Sequence, residues 1–201
     1  MTSFYSQQEL KKIGFKKVGT NVLLSRKASI YQAQNIEIGS NTRIDDFCIL
    51  SGNIKIGDYV HIAAYCGLYA GTAGIEIKAF TNCSSRTMIY AKCDDFSGEN
   101  LFGPMIPEQY KYVYEAGVTI EEYVLVGTGV TILPGIVIGE GVAIGGMSLV
   151  KKSLSPWWIY AGVPCQKIKK RKKTLLEKKD RFLREQGTQS TQSNMDRLDD
   201  L

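Results

Sequence analysis

Residues 120–150 read IEEYVLVGTGVTILPGIVIGEGVAIGGMSLV. An apolar residue returns at every sixth position of this stretch, at Ile120, Val126, Ile132, Ile138, Ile144 and Val150. Neither an α-helix nor a strand has this period, because their side chains repeat about every 3.6 and 2 residues. A solenoid with three flat faces per coil does have it, since a tight turn follows each face. Residues eighteen positions apart then stack on successive coils at about 4.8 Å.

The same period runs through the first half of the chain. It appears at Ile38, Ile44, Leu50, Ile56, Ile62 and Leu68. Between Leu68 and Ile77 the spacing stretches to nine, which predicts a small corner loop across residues 71–74. The sequence therefore predicts an all-β solenoid, a parallel β-helix of hexapeptide repeats over residues 18–155.

The flanking segments have other patterns. Ser6 and Glu9 form a capping-box pattern before Gly14, which predicts a helix at residues 6–13 within a lead-in of residues 1–17. After the coil, residues 156–185 are predicted to form a closing segment and a helix from Ile168 to about Glu185. The polar residues 186–201 are predicted to form a flexible tail.

One long interruption breaks the repeat at residues 91–117, which contain two prolines, three glycines and three tyrosines and have no period. A loop of this length inside a compact domain is usually functional or disordered, and its aromatic content argues against disorder. We expect an ordered flap beside a functional site. The alternative is a loop that serves only to pack subunits together.

Composition narrows the class of protein. At 201 residues and 44% hydrophobic content, one domain is expected. The net charge of +5 is modest, and the basic run at residues 169–173 lacks interleaved aromatics, which argues against nucleic acid as a partner. The five cysteines show no C-x-x-C spacing and His61 is the only histidine, which argues against a metal site. Cys48 and Cys66 lie eighteen positions apart and should be stacked, reduced core residues, which indicates the cytoplasm. We find no signal peptide and no apolar stretch long enough to predict a membrane span.

Several segments resemble a known family. VGTGVTILPGIVIGEGVAIGG at 126–146 and YAGVPCQKIKKR at 160–171 resemble the hexapeptide-repeat acyltransferases, in particular the galactoside/maltose acetyltransferase branch. RIDDFCILSG at 43–52, GDYVHIAAYC at 57–66 and CDDFSG at 93–98 look like bacterial surface-polysaccharide enzymes, among them the acyltransferases for dTDP-4-amino-4,6-dideoxy-glucose. The resemblance implies a left-handed coil and a homotrimer, with acetyl-CoA bound in each groove between neighbouring coils.

The resemblance also implies coenzyme-binding residues. Thr128 and Gly146 match positions that contact the pantetheine arm. Lys151, Lys152 and Lys169 match positions that face the nucleotide end, where cations suit the phosphates of coenzyme A.

The usual catalytic base is where this sequence departs from the family. Galactoside-type enzymes carry a histidine in the segment matched here by residues 89–95, and this chain has Asp94 and Asp95 instead. A second branch, which acetylates amino-sugar nucleotides, carries two histidines. The earlier one would fall on Gly52 and the later one matches His61.

The repeat supports His61 independently. Arg43, His61 and Asn82 occupy the same point of successive coils and should form one outward-facing ladder. The Arg43 guanidinium would keep the imidazole neutral and able to accept a proton, and Asn82 could orient the ring or the acceptor. The alternative is an ordinary surface or interface histidine.

The acidic residues near these positions are further candidates. We predict a corner-turn role for Asp45 and acceptor binding for Asp46. Asp94 and Asp95 are predicted to bind the acceptor, or to accept a proton if burial raises their pKa. In the flap, Tyr110 and its neighbour Lys111 could reach a sugar or nucleotide.

These features predict acetyl transfer from acetyl-CoA to an amine or hydroxyl of a sugar, in a ternary complex without a covalent enzyme intermediate. An amine needs less help from a base, so the missing histidine favours N-acetylation. The alternatives are a galactoside-type O-acetyltransferase and a non-catalytic scaffold, which would not need a coenzyme groove. A metal-dependent hydratase would need more histidines than His61.

Overall fold

The fold is a parallel β-solenoid, seen in a computed structural model that describes residues 3–186. The described residues fall into two compact units, one ending at Lys170 and one beginning at Arg171. In the first unit the helices are α1 (Gln7–Ile13) and two 3-10 helices (Ala33–Asn35 and Glu108–Tyr110). In the second unit, residues 175–186 are helical.

The strands of the first unit are short, as tight coils require. In chain order they are β1 (Lys17–Val18), β2 (Leu23–Leu24), β3 (Ser29–Tyr31), β4 (Ile36–Ile38), β5 (Arg43–Ile44), β6 (Ile49–Ile56), β7 (His61–Ile62), β8 (Gly67–Ile77), β9 (Asn82–Cys83), β10 (Met88–Tyr90), β11 (Lys92–Asp94), β12 (Val113–Glu115), β13 (Val118–Ile120), β14 (Leu125–Val126), β15 (Thr131–Ile132), β16 (Val137–Ile138), β17 (Ala143–Ile144), β18 (Leu149–Val150), β19 (Trp158–Gly162) and β20 (Cys165–Lys170).

The coil strands stack into three faces, each named here after one residue. The His61 face consists of β2, β5, β7, β9, β14, β17 and β19. The Tyr69 face consists of β3, β10, β15, β18 and the first parts of β6 and β8. The Glu37 face consists of β1, β4, β13, β16 and the last parts of β6 and β8. All these pairings are parallel and join neighbouring coils, which confirms the predicted solenoid.

The interior is built from the residues that carry the six-residue period. Ile44 pairs with Ile62 and Val126 with Ile144, each one coil apart. Most inward side chains of the three faces are 3% exposed or less; they include Ile44, Ile62, Val126 and Ile144, Leu50, Leu68, Ile89 and Ile132, and Ile38, Ile56, Ile77, Ile120 and Ile138. Cys48 and Cys66 are buried as well, as predicted. Burial of each such side chain contributes roughly 1.5–3 kcal/mol, so the coil stack is the main source of stability.

An aromatic column fixes the corner between the Glu37 and His61 faces. Tyr59, Phe80, Tyr123 and Trp157 have positive φ angles there, and their rings stack at centroid distances of 4.7, 5.7 and 6.5 Å. Stacking of about 0.5–1.5 kcal/mol per pair offsets the backbone strain at these turns. Gly141 occupies the turn below Trp157, where a β-carbon would lie 2.5 Å from the indole, so only glycine lets Trp157 reach Tyr123.

The N-terminal helix is as predicted, whereas the start of the C-terminal helix is not. Ser6 and Glu9 form a complete capping box, and Gly14 ends α1 with a φ of 87°. The predicted helix from Ile168 is wrong: β20 continues to Lys170, and the helix begins at residue 175. The strand pairs antiparallel with β19 and covers what would otherwise be an open sheet edge. Most of the predicted tail, from residue 187 on, lies outside the described residues.

The flap (residues 91–117) leaves the solenoid through an antiparallel pair, β11 and β12. Glu115 on β12 accepts hydrogen bonds from the backbone N–H and the hydroxyl of Thr72 on β8. The predicted corner loop at residues 71–74 is therefore part of the long strand β8, where it supports the flap.

Candidate active site

The predicted ladder on the His61 face is present. Arg43 pairs with His61 in register, and His61 pairs with Asn82. The next residue of each strand, such as Ile44 or Ile62, points into the core, so these three side chains point outward. Three polar residues far apart in the chain thus form one continuous row.

Both ring nitrogens of His61 have partners. Nε2 lies 2.8 Å from Oδ2 of Asp45, and Nδ1 lies 2.8 Å from Oδ1 of Asn82. Two oxygen acceptors fit an imidazolium, which donates from both nitrogens. A neutral ring fits after the Asn82 amide turns over, so that its nitrogen donates to Nδ1. The orientation of the Asn82 amide therefore decides whether Nδ1 donates or accepts in this contact.

Asp45 directly precedes the turn at residues 46–47, and its carboxylate also contacts the candidate site. Its Oδ1 accepts a hydrogen bond of 2.7 Å from Nε of Arg43. Partial burial opposes ionisation of Asp45, but hydrogen bonds from His61 and Arg43 lower its pKa below the ordinary value. The effect of Arg43 on the imidazole stays a prediction; the Asp45 carboxylate lies between the two side chains and contacts both of them.

Ser84 is a site candidate that the sequence reasoning missed. It follows Asn82 by two positions on the same coil, and Nδ2 of Asn82 lies 3.4 Å from its hydroxyl oxygen. Spacing along the repeat could have indicated Ser84, because Ser84 follows Asn82 by two positions just as Asp45 follows Arg43. The half-buried Ser84 extends the polar cluster of Asp45, His61 and Asn82.

Asp46 has different partners from its neighbour Asp45. Its carboxylate accepts from the buried Ser25 hydroxyl and from Nζ of Lys27, which lower the pKa of Asp46. These contacts join two coils. They occupy both carboxylate oxygens, so acceptor binding by Asp46 stays a prediction that would require exchange of these partners.

The two flap aspartates differ in their surroundings. Asp95 accepts from the backbone N–H groups of Ser97 and Asn100 and from both of their side chains. Hydrogen bonds from Asn100 and Ser97 lower the pKa of Asp95 to about 2, which makes it a poor proton acceptor. Asp94 is exposed at the end of β11 and lines a cavity of about 490 Å³. Tyr110 is 57% exposed in the flap.

The predicted coenzyme residues lie on the last coils. The amide of Met147 donates to the carbonyl of Thr128 at 2.7 Å, so Thr128 and Gly146 lie side by side on adjacent coils, both exposed. Lys151 and Lys152 line a cavity of about 270 Å³ together with Pro164. Exposed Lys169 is on β20, paired with Ile159.

Within one chain, the His61 cluster and the flap residues of the candidate site lie on different faces of the solenoid. The His61 cluster is on the His61 face, whereas Asp94 and Tyr110 belong to the flap, which follows β10 of the Tyr69 face. In the described residues, no group of three histidine, cysteine, aspartate or glutamate side chains could hold a metal ion. Across the same residues, no helix is both long and apolar enough to span a bilayer.

Comparison with known proteins identifies the family. The signature described as "Bacterial transferase hexapeptide (six repeats)" matches residues 35–70 and 117–152. The dTDP-4-amino-4,6-dideoxy-D-glucose acyltransferase of Escherichia coli is 39% identical over 178 residues, which cover 87% of this chain and 92% of that enzyme. The chain belongs to the hexapeptide-repeat acyltransferases. The resemblance seen in the sequence is confirmed. The protein is an acyltransferase of the branch that modifies sugars.

Two further relatives refine the comparison. This acyltransferase is 57% identical to AntD, an N-acyltransferase from Bacillus cereus solved with dTDP and 3-hydroxybutyryl-CoA, with a TM-score of 0.91 over 93% of this chain and 100% of that one. Other AntD structures hold dTDP-4-amino-4,6-dideoxyglucose and coenzyme A in a serine variant, or dTDP and coenzyme A in an aspartate variant. WbbJ of Escherichia coli (strain K12), a putative lipopolysaccharide biosynthesis O-acetyl transferase, is 31% identical over 71% of this chain and 72% of its own length.

Proposed function

We propose that this enzyme transfers an acyl group from acyl-CoA to the amine of a nucleotide-linked amino sugar, dTDP-4-amino-4,6-dideoxyglucose, for a surface polysaccharide. The observation that carries the proposal is the similarity to AntD, which extends over almost the whole of both chains. We propose acetyl-CoA as the donor, with 3-hydroxybutyryl-CoA as the comparison donor. The reaction takes place in the cytoplasm, a location that the five free cysteines support.

The AntD variants support a role for two residues of this chain. The substituted serine and aspartate of AntD are ten positions apart, and so are Ser84 and Asp94 here. Ser84 belongs to the His61 cluster, and Asp94 opens the flap. We therefore place the reacting amine between the His61 cluster and Asp94, and we assign Asp95 to the ordering of the flap.

The proposed reaction is direct transfer. The neutral amine attacks the thioester carbonyl, the tetrahedral intermediate expels the coenzyme thiolate, and the proton lost by the amine ends on that sulfur. The His61 cluster accepts and returns this proton. Asp45 holds Nε2, and Asn82 moves away from Nδ1 so that this nitrogen can accept the proton of the amine. Asp94 accepts a hydrogen bond from the neutral amine and orients it toward the thioester carbonyl.

A homotrimer would bring these parts together, with the flap of one subunit against the His61 face of the next. Two exposed apolar side chains of the flap support this arrangement: Phe102 is 68% and Met105 is 91% exposed in the single chain. Coenzyme A would lie along Thr128 and Gly146 toward the lysines at 151, 152 and 169.

A thiol-release assay tests the proposal. Purified protein is incubated with acetyl-CoA or 3-hydroxybutyryl-CoA and with dTDP-4-amino-4,6-dideoxyglucose, other nucleotide amino sugars or free galactosides. We expect thiol release with the dTDP-amino sugar. Turnover of galactosides alone would identify an O-acetyltransferase instead, as WbbJ is named. A protein that neither turns over an acceptor nor binds the coenzyme would be a scaffold.

A further inference from the structure

The flap meets the solenoid at a bulge in β8. On β6 the chain advances three residues from Ser51 to Ile54, whereas the paired part of β8 advances six, from Tyr69 to Ile75. The additional residues of β8 include Thr72. Bulges are common beside active sites, where they change the direction in which a strand or a side chain points. This bulge therefore marks β8 as a support for the flap that carries Asp94.

Thr72 connects three strands through its hydrogen bonds. Its carbonyl accepts from Nδ2 of Asn53 on β6 at 2.8 Å. Its backbone N–H donates to Oε2 of Glu115 on β12 at 3.1 Å, and its hydroxyl donates to the same oxygen. Hydrogen bonds from Thr72 hold the pKa of Glu115 below its ordinary value, although partial burial opposes ionisation. The acceptor is therefore a carboxylate, and hydrogen bonds to a charged acceptor are the stronger kind.

The contact between the bulge and Glu115 requires a glycine. A β-carbon on Gly71 would lie 2.8 Å from Oε1 of Glu115, and the φ of Gly71 is 55°. Any side chain at this position would crowd the carboxylate and would strain the backbone as well. Gly71 thus leaves the space through which Glu115 reaches Thr72.

The Glu115 contact supports the strand that carries Asp94. β11 and β12 pair antiparallel, with Asp94 opposite Val113 on the strand that ends at Glu115. At the base of this ribbon, the amide of Ala91 donates to the Tyr69 carbonyl at 2.9 Å. A two-stranded ribbon is only marginally stable by itself, and a single attachment would let it turn about that point. The Glu115 contact is a second attachment, on the other strand, and two attachments fix the direction of the ribbon.

We infer that Glu115 is a positioning residue for the acyl transfer: its contact with Thr72 directs β11 so that Asp94 meets the amine of the acceptor. The inference rests on the proposed function and adds to it a residue that acts through Asp94. The His61 cluster is built on other strands, so the two halves of the site can be perturbed separately.

The test is a double-mutant cycle in steady-state kinetics of the full-length protein, with acetyl-CoA and dTDP-4-amino-4,6-dideoxyglucose. Glu115→Met keeps the length of the side chain and removes the carboxylate, so kcat/KM for the amino sugar should fall roughly tenfold. The KM for acetyl-CoA should stay within about twofold, because the coenzyme residues lie on other coils. In the Asp94→Asn background the same change should cost less than about twofold, since the side chain that Glu115 positions is already impaired.

Variants of Thr72 test the partner of the carboxylate. Thr72→Val removes the hydroxyl and keeps the backbone N–H, so kcat/KM for the amino sugar should fall about threefold to fivefold. Thr72→Ser should restore it. Glu76→Met is the matched control and should behave like the parent, because this glutamate of β8 accepts from Nζ of Lys55 on β6 at 2.8 Å. Melting temperature and acetyl-CoA binding of each variant report on folding.

The outcomes separate this inference from the proposed function. If the parent acylates the amino sugar and Glu115→Met matches it, the positioning role is wrong and the proposed function stands. Equal losses in the parent and Asp94→Asn backgrounds would show that Glu115 acts apart from Asp94, which also overturns the inference. Should Glu115→Met not fold, Thr72→Val in the same two backgrounds decides in the same way. A parent that does not acylate the amino sugar overturns the proposed function and this role together.

Discussion

Oδ2 of Asp45 lies 2.8 Å from Nε2 of His61 on the next coil. The other oxygen of the same carboxylate accepts from Arg43 at 2.7 Å. One carboxylate therefore orients the imidazole and the guanidinium together, and it determines which nitrogen of His61 can face the acceptor. This relationship makes Asp45 a positioning residue in the proposed mechanism.

Replacement of this pair should slow turnover with little effect on binding. His61→Asn should lower kcat by roughly 10²–10⁴ if the imidazole carries the proton. Asp45→Asn should lower kcat by roughly 10–100-fold, because it acts only through His61. The double variant should be no slower than His61→Asn alone, since the two residues act as a unit. Steady-state kinetics with acetyl-CoA and the amino sugar measure all three.

Asp58→Asn is the control for this series, because an amide oxygen can still accept the hydrogen bond from Ser40. Parent-like kcat for His61→Asn would exclude the imidazole as the base. Additive losses in the double variant would show that Asp45 acts separately from His61.

The flap aspartates should respond differently to the same change. Asp94→Asn should lower kcat/KM for the amino sugar roughly tenfold to hundredfold, through the loss of a charged hydrogen bond to the amine. Asp95→Asn should lower activity mainly by disordering the flap. If both variants abolish activity while His61→Asn loses less than tenfold, the base is a carboxylate of the flap.

The coenzyme groove can be tested by filling it. A β-carbon on Gly146 would lie 3.1 Å from the Thr128 carbonyl oxygen, so Gly146→Leu should both crowd this contact and cover the exposed track. Acetyl-CoA affinity should fall more than it does for Lys169→Ala, which removes one exposed charge contact worth about 1–3 kcal/mol at most. Calorimetry measures both, and a Gly146→Leu protein that is folded and binds like the parent would show that the groove is elsewhere.

Acid should disorder the flap. The pKa of Asp95 is lowered from 3.8 to about 2 by its hydrogen bonds, so its contribution to flap order is complete above pH 3.8 and is lost as the pH falls through about 2. Amide exchange at Ser97 and Asn100 should accelerate over this interval. Asp95→Asn should show no such acceleration, and unchanged exchange in the parent would contradict the assigned role.

Close approach of backbones makes Gly127 necessary for the coil stack. A β-carbon there would lie 2.6 Å from the Gly146 amide nitrogen. Gly127→Ala should therefore lower the free energy of unfolding by roughly 1–3 kcal/mol. Gly98→Ala, where a β-carbon meets open space, should lower it by less than Gly127→Ala does, because only its φ of 86° is strained. Urea denaturation compares them, and equal losses would contradict the argument.

The sequence by itself determined the solenoid and the row of residues on its outer face. The six-residue period fixes which side chains point inward, and eighteen-residue spacing stacks Arg43, His61 and Asn82, as the register shows. The period is informative because each coil repeats the same backbone geometry, so spacing along the chain converts directly into neighbours in space. The same spacing predicted the contact between Thr128 and Gly146.

Only the tertiary structure decided how these side chains pair. Asp45 and Asp46 are adjacent in sequence, yet one binds His61 and the other binds Ser25 and Lys27. Likewise Asp95 turns into the flap while Asp94 faces a cavity. The period cannot distinguish such neighbours, because a rotamer is chosen by partners from another coil or from an irregular loop. Position along the chain follows from the repeat, whereas chemistry at each position depends on which side chains the fold brings within hydrogen-bonding distance.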